Sequence, residues 1–235
     1  MANINIFDPI IGGGQIATSY STVDAVGAQR VALGKHSEGV DISGFGGTFV
    51  YGKAGGTIAA GNICVFDAGF SAVVCPVTAN TGRAIAVALN AMTVGQFGWF
   101  QTVGMAVITA SASVAAATPI GATTAGNVGV NAAGRQVLGA VSVAASTATV
   151  IKSCTTTNGS TNLVTPDSVG WFVGIALTGT GIAASTVVTA IAANGKSVTL
   201  NNAMTANGTG IAVTGTYTGF ILAHISRPFI QGAIS

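Results

Sequence analysis

The chain has 235 residues, of which 6% are charged and 49% hydrophobic but only 6% aromatic, where an ordinary soluble domain carries about 25% charge. Eight Lys and Arg against six Asp and Glu give a net charge of +2, too few dispersed cations for a phosphate-binding footprint. The 34 glycines have no period of three, which excludes collagen, and the hydrophobicity excludes a disordered chain.

In chain order, residues 1–47 read as an extended arm. Short apolar pieces (Ile4, Ile6, Phe7, Ile10, Ile11) are broken by Gly12-Gly13-Gly14 and by Ser and Thr, and four of the six acids (Asp8, Asp24, Glu38, Asp41) lie here. Thr22 as N-cap, with Asp24 in the first turn, predicts a short helix over 22–33. The first twenty residues lack a basic stretch followed by a long apolar core, so no secretory leader is expected.

From Thr48 the pattern is β. Runs rich in Val, Ile, Thr and Phe over 48–53, 62–66, 71–77, 84–90, 98–110, 135–144 and 217–226 are separated by Gly and Asn, the spacing of a small barrel or sandwich. The last run, YTGFILAHIS, is apolar at successive positions, which predicts a strand buried on both faces, with His224 a core or interface histidine within it. Residues 150–216 form a second β unit. Its clearest element is a hairpin about Asn194-Gly195, a pair suited to a two-residue type I′ turn. The runs on either side of this unit would pair antiparallel, so the unit is an insertion between them. The predicted organisation is all-β: an arm over 1–47, a barrel over 48–149 closed by 217–235, and an inserted module over 150–216. No internal repeat of 20–50 residues is legible.

Membrane helices are not expected. No charge lies between Arg83 and Arg135, but Gly, Ser, Thr, Asn and Pro interrupt every window of the roughly 20 residues a span needs. Cys64, Cys75 and Cys154 form no CxxC and sit in apolar runs, which predicts buried thiols rather than a disulfide or zinc framework.

Chemistry-bearing residues are sparse. His36 with Glu38 and Asp41 could form a metal site or an oriented base, or a solvated loop. No GxSxG, GxxxxGK[ST] or strand-following GxGxxG occurs, so no catalytic residues, cofactor or metal are assigned. Phe97, Trp99 and Phe100 form the one aromatic cluster. In a strand Phe97 and Trp99 share a face and Phe100 takes the other. That face is either a core wall or an interface anchor. Trp171-Phe172 should serve the inserted unit in the same way.

The runs GGTFVYGKAGGTIAAGNICVF (46–66) and GRAIAVALNAMTVGQFGWFQTVGMAVI (82–108) resemble the small β-barrel decoration, or cement, proteins of tailed-phage capsids. GRQVLGAVSV (134–143) and YTGFILAHISRP (217–228) fit the closing strands of that pattern, and the 150–216 unit resembles small β modules of phage structural proteins. The resemblance implies a non-enzymatic virion protein on the capsid exterior. Its partners would be the major capsid protein and itself, as a homotrimer, with neither nucleic acid nor membrane. The candidate interface residues are Ile4, Ile6, Phe7 and Ile10 of the arm, laid on a neighbouring subunit, together with Phe97 and Trp99. A tail or fibre structural protein is the alternative.

Overall fold

The structure is a computed structural model that describes residues 3–8, 16–21, 23–41, 45–111, 113–192 and 194–232, with the side chains of 23–40 and of those from Phe45 on. It is all-β, with no helix among the described residues. In chain order the strands are β1 Asn3–Asp8, β2 Ile16–Ser21, β3 Val23–Asp24, β4 His36–Asp41, β5 Gly46–Ala54, β6 Ile63–Phe66, β7 Ser71–Val74, β8 Ile85–Ala88, β9 Phe97–Thr109, β10 Pro119–Thr124, β11 Asn127–Val130 and β12 Gln136–Ala144. They continue with β13 Thr149–Thr156, β14 Asn162–Val164, β15 Ala176–Gly179, β16 Thr186–Ile191, β17 Ser197–Leu200, β18 Gly208–Thr216 and β19 Phe220–Ile230.

Two five-stranded rings share the 13-residue strand β9. The first runs β5–β9–β8–β6–β7 and closes by a parallel β7–β5 pairing. The second runs β9–β19–β12–β10–β11 and closes by a parallel bridge between Ala110 and Val128. Their topology is identical, and the equivalences hold residue by residue. The closing pair Ala54↔Ala72 recurs 56 residues further on as Ala110↔Val128. The donation from Ala54 N–H to Gln96 O (2.7 Å) recurs as Ala110 N–H to Gly219 O (2.9 Å), and Gly55 N–H to Ala72 O (2.8 Å) recurs as Ser111 N–H to Val128 O (3.0 Å). The cores correspond too. Val50, Ala54, Ile58, Cys64, Ala72 and Phe100 fill the first ring, while Ala106, Ala110, Val114, Ile120, Val128 and Ala223 take their places in the second. The chain therefore contains an internal structural repeat that its residues do not display. A core position asks only for an apolar side chain of suitable volume, so Phe100 and Ala223 fill equivalent places without sequence likeness.

β12 and β19 pair antiparallel, for example Ser142↔Ala223, and the chain between them forms a third, closed six-stranded barrel, β13–β14–β17–β16–β15–β18. Its core centres on Trp171, Tyr217, Phe172 and Leu177. The Trp171 indole donates to Val150 O at 3.3 Å and the Tyr217 hydroxyl to Gly170 O at 2.9 Å, so both large side chains are buried with their polar atoms satisfied. Phe220 of β19 packs edge-on against Phe172 at 5.0 Å and joins this barrel to the rings.

Four sequence expectations are corrected. The segment after Thr22 is not helical. Val23–Asp24 pairs with Gly98 and Phe97 of β9, Gly27 sits at φ +79°, and Val31 and Leu33 pack onto Phe49, Tyr51, Phe97 and Trp99, so tertiary contacts outweigh a weak local preference. Residues 36–41 form a strand on β5 rather than a loop. β19 is not buried on both faces: Ile221, Ala223 and Ile225 are buried while His224 is exposed, the alternation of a sheet with one open face. The Asn194-Gly195 hairpin forms, but Ala192 N–H bonds Ser197 O (2.9 Å) and Gly195 N–H bonds Ala192 O (2.8 Å), so the loop is longer than two residues. The strands β10 and β11 and the β1–β2 hairpin were not expected.

Candidate interaction surfaces

Phe97 and Trp99 share a face with Phe49 and Tyr51 on the outer side of the β5–β9 pair, and Phe100 points the other way into the first ring. They are 6% and 2% exposed, because the 23–35 segment lies across them. Within the chain they build a wall; they present no surface to a partner. Asp24 pins the covering segment. It is 4% exposed and accepts from the Tyr51 hydroxyl at 2.5 Å, with the Arg30 guanidinium at 3.0 Å. Burial, and the bond to Asp24, push the Tyr51 phenol well above its ordinary range. Nothing near Asp24 in sequence announces a tyrosine 27 residues away.

Ile4, Ile6 and Phe7 lie on β1, opposite Tyr20, Thr18 and Ala17 of β2 on one side and Asp41, Gly39 and Glu38 of β4 on the other. Ile10 lies outside the described residues. The three strands β4, β1 and β2 extend the sheet from β5 as a wing. On β4 His36 and Glu38 are exposed two residues apart, and Glu38 borders an open cleft of about 280 Å³ with Gly39, Gly47 and Thr48. Among the described residues no three His, Cys, Asp or Glu side chains converge as metal ligands.

The three thiols are buried and unpaired, and burial pushes Cys75 up to about 11, with Cys64 and Cys154 also raised. They are packing groups, not nucleophiles. In the six-stranded barrel the buried Lys152 amine donates to the half-exposed Asp167 carboxylate and lies 5.7 Å from the Trp171 ring centre. That amine holds the Asp167 carboxyl below its ordinary range.

The surface the sequence did not disclose is the outer face of β12 and β19. Leu138, Val141, Val143 and Phe229 are 39–49% exposed there. Leu138 pairs with Phe229, and Val141 with His224, which in turn faces half-buried Met105 of β9. Alternation over 135–144 could have marked one face of β12 as outward. Its signal is hidden because the outward side chains are themselves apolar.

No family model, no curated protein and no solved structure matches this chain.

Proposed function

We propose that this chain is a structural virion protein that decorates the outside of a tailed-phage head, binding the major capsid protein lattice as a homotrimer. The observation that carries the reading is where the cement-like runs fall. GGTFVYGKA is β5, ICVF is β6, IAVA is β8 and FGWFQTVGMAVIT is β9, four of the five strands of the first ring, and the two closing runs fall on β12 and β19 of the second. The physical properties suit the role. Hydrogen-bonded rings with apolar cores are stiff, and a face with few charges binds by shape and apolar burial rather than by ion pairing, so attachment tolerates salt.

The test is to add the purified chain to phage heads that lack it and image them. Saturation at a fixed copy number per capsid, with density outside the shell, is the expected result. No binding, or location in a few copies on the tail, overturns the proposal.

A further inference from the structure

The two rings are not covered alike. In the first, Ile63 of β6 pairs with Val87 of β8, and Val87 with Gln101 of β9. In the second, the same three places are held by Pro119 of β10, Val141 of β12 and His224 of β19, paired in the same order. Ile63, Val87 and Gln101 are 1%, 2% and 2% exposed, because the second ring lies on this wall: one core cluster joins Ile63, Val65, Ile85 and Val87 to Val137, Ile225 and Ile230 of β12 and β19. Pro119 and His224 are exposed, and Val141 is 45% exposed. Leu138, Val143 and Phe229 lie open beside them. The fold buries this wall once and leaves its copy open, because no third five-stranded ring follows among the described residues. The six-stranded barrel packs instead beside Val107, Ala144 and Phe220.

Electrostatics and the repeat together narrow the occupant. Strands β9, β10, β12 and β19 carry no carboxylate, and their only charged or titratable side chains are His224 and Arg227. The face therefore calls for an apolar cover rather than for ion pairs. Within the chain, that cover is supplied to the first ring by β12 and β19 themselves. A second copy brings the same two strands. We infer that the outer β12–β19 face is where copies of this chain meet, with Leu138, Val141 and Phe229 of one copy packed on the same face of the next. Each copy brings like charges, so apolar burial holds the contact and His224 and Arg227 oppose it. In the homotrimer of the proposed function this face turns toward the three-fold axis; the inference rests on that reading only for the number three.

The full chain free in solution, without capsids, provides the test. Sedimentation at rising protein concentration should show association that does not weaken as salt rises. Val141→Lys adds a cation to a face that already carries two and should weaken association by about tenfold or more. Val94→Lys, 62% exposed in the turn before β9, should leave it unchanged. Val141→Cys chains should form disulfide-linked pairs under mild oxidation and Val94→Cys chains should not; the native thiols are buried and stay silent. A monomer at every concentration, association that dissolves as salt rises, equal effects of the two lysines, or equal crosslinking at 94 and 141 would each overturn the inference. Chains that stay monomeric but lose head binding in Val141→Lys would overturn it too, by giving the face to the capsid protein. A dimer linked through position 141 would support the inference and remove only the number three. Heads that stay bare while the 141 crosslink forms would count against decoration alone.

Discussion

Asp24 shows how one buried carboxylate can hold a segment in place. Removing it in Asp24→Ala leaves the Tyr51 hydroxyl buried without its acceptor, at a cost of about 1–3 kcal/mol. Arg30→Ala removes a partner that is 60% exposed and should cost less than about 1 kcal/mol. Urea denaturation of both variants checks the order; an equal loss would show that the ion pair, not the phenol bond, holds the segment. The thiols and phenols make a second prediction. Cys64, Cys75, Cys154, Tyr51 and Tyr217 are all raised by burial, so the fold favours their neutral forms. Their contribution is complete below the unfolded thiol value of 9.0 and is lost as pH rises through about 11 for Cys75. The urea midpoint should therefore be lower at pH 10.5 than at pH 8, at constant ionic strength. Asp167 acts in the opposite sense, because its lowered carboxyl gives stability above the ordinary carboxylate range that fades as pH falls.

At the scale of elements, the repeat makes glycine positions comparable. Gly61 at φ +80° and Ala117 at φ +55° are equivalent under the 56-residue spacing. Each precedes the first short strand of its ring, and each ring makes the same two bonds there: Gly61 N–H donates to Ala88 O and Ala88 N–H to Asn62 O, as Ala117 N–H donates to Ser142 O and Ser142 N–H to Thr118 O. Ala117 pays the left-handed strain that Gly61 avoids. Gly61→Ala, whose new Cβ would also sit 3.1 Å from Thr109 N, should cost about 1–2 kcal/mol. Ala117→Gly should be neutral or stabilising by up to about 1 kcal/mol, since relief of strain is offset by the freer unfolded chain. Thermal unfolding of the two variants should shift in opposite directions or leave Ala117→Gly at the parent value; a large loss in Ala117→Gly would contradict the equivalence. Gly104 is under a harder constraint. It lies at φ +108°, and a Cβ there would approach Gly46 O to 2.1 Å, where Gly104 of β9 lies opposite Gly47 of β5.

For the whole molecule, the six-stranded barrel is attached at one place. Its first and last strands begin and end side by side, Thr149 opposite Thr216, so a short glycine-containing turn could replace it and leave β12 and β19 paired. The excised chain should keep its β-sheet circular dichroism but melt at a lower temperature, because Val107, Ala144 and Phe220 lose the core they pack against. Loss of all cooperative unfolding would instead mean that the rings depend on the inserted barrel. The β12–β19 pair leads into that barrel and also bears the exposed apolar face, so excision with a tight turn also tests whether that face stays ordered by itself.

The sequence by itself determined the all-β class, the seven principal strand runs, the antiparallel pair flanking the inserted unit, the buried thiols and the opposite facing of Trp99 and Phe100. These follow from local alternation and from glycine punctuation, which any short stretch displays. Only the tertiary structure decided the rest. Asp24 became a buried acceptor because of Tyr51; the 23–33 segment lost its helix to an aromatic wall; and His224 moved to the surface because apolar residues occupy both faces of β19 while only one face is covered. The repeat stayed hidden for the same physical reason: backbone hydrogen bonds fix register and topology without regard to side chains, so Val50 and Ala106 hold equivalent places with little in common beyond being apolar. Whether an apolar strand face lies inside or outside is a property of what packs on it, and that information is not local.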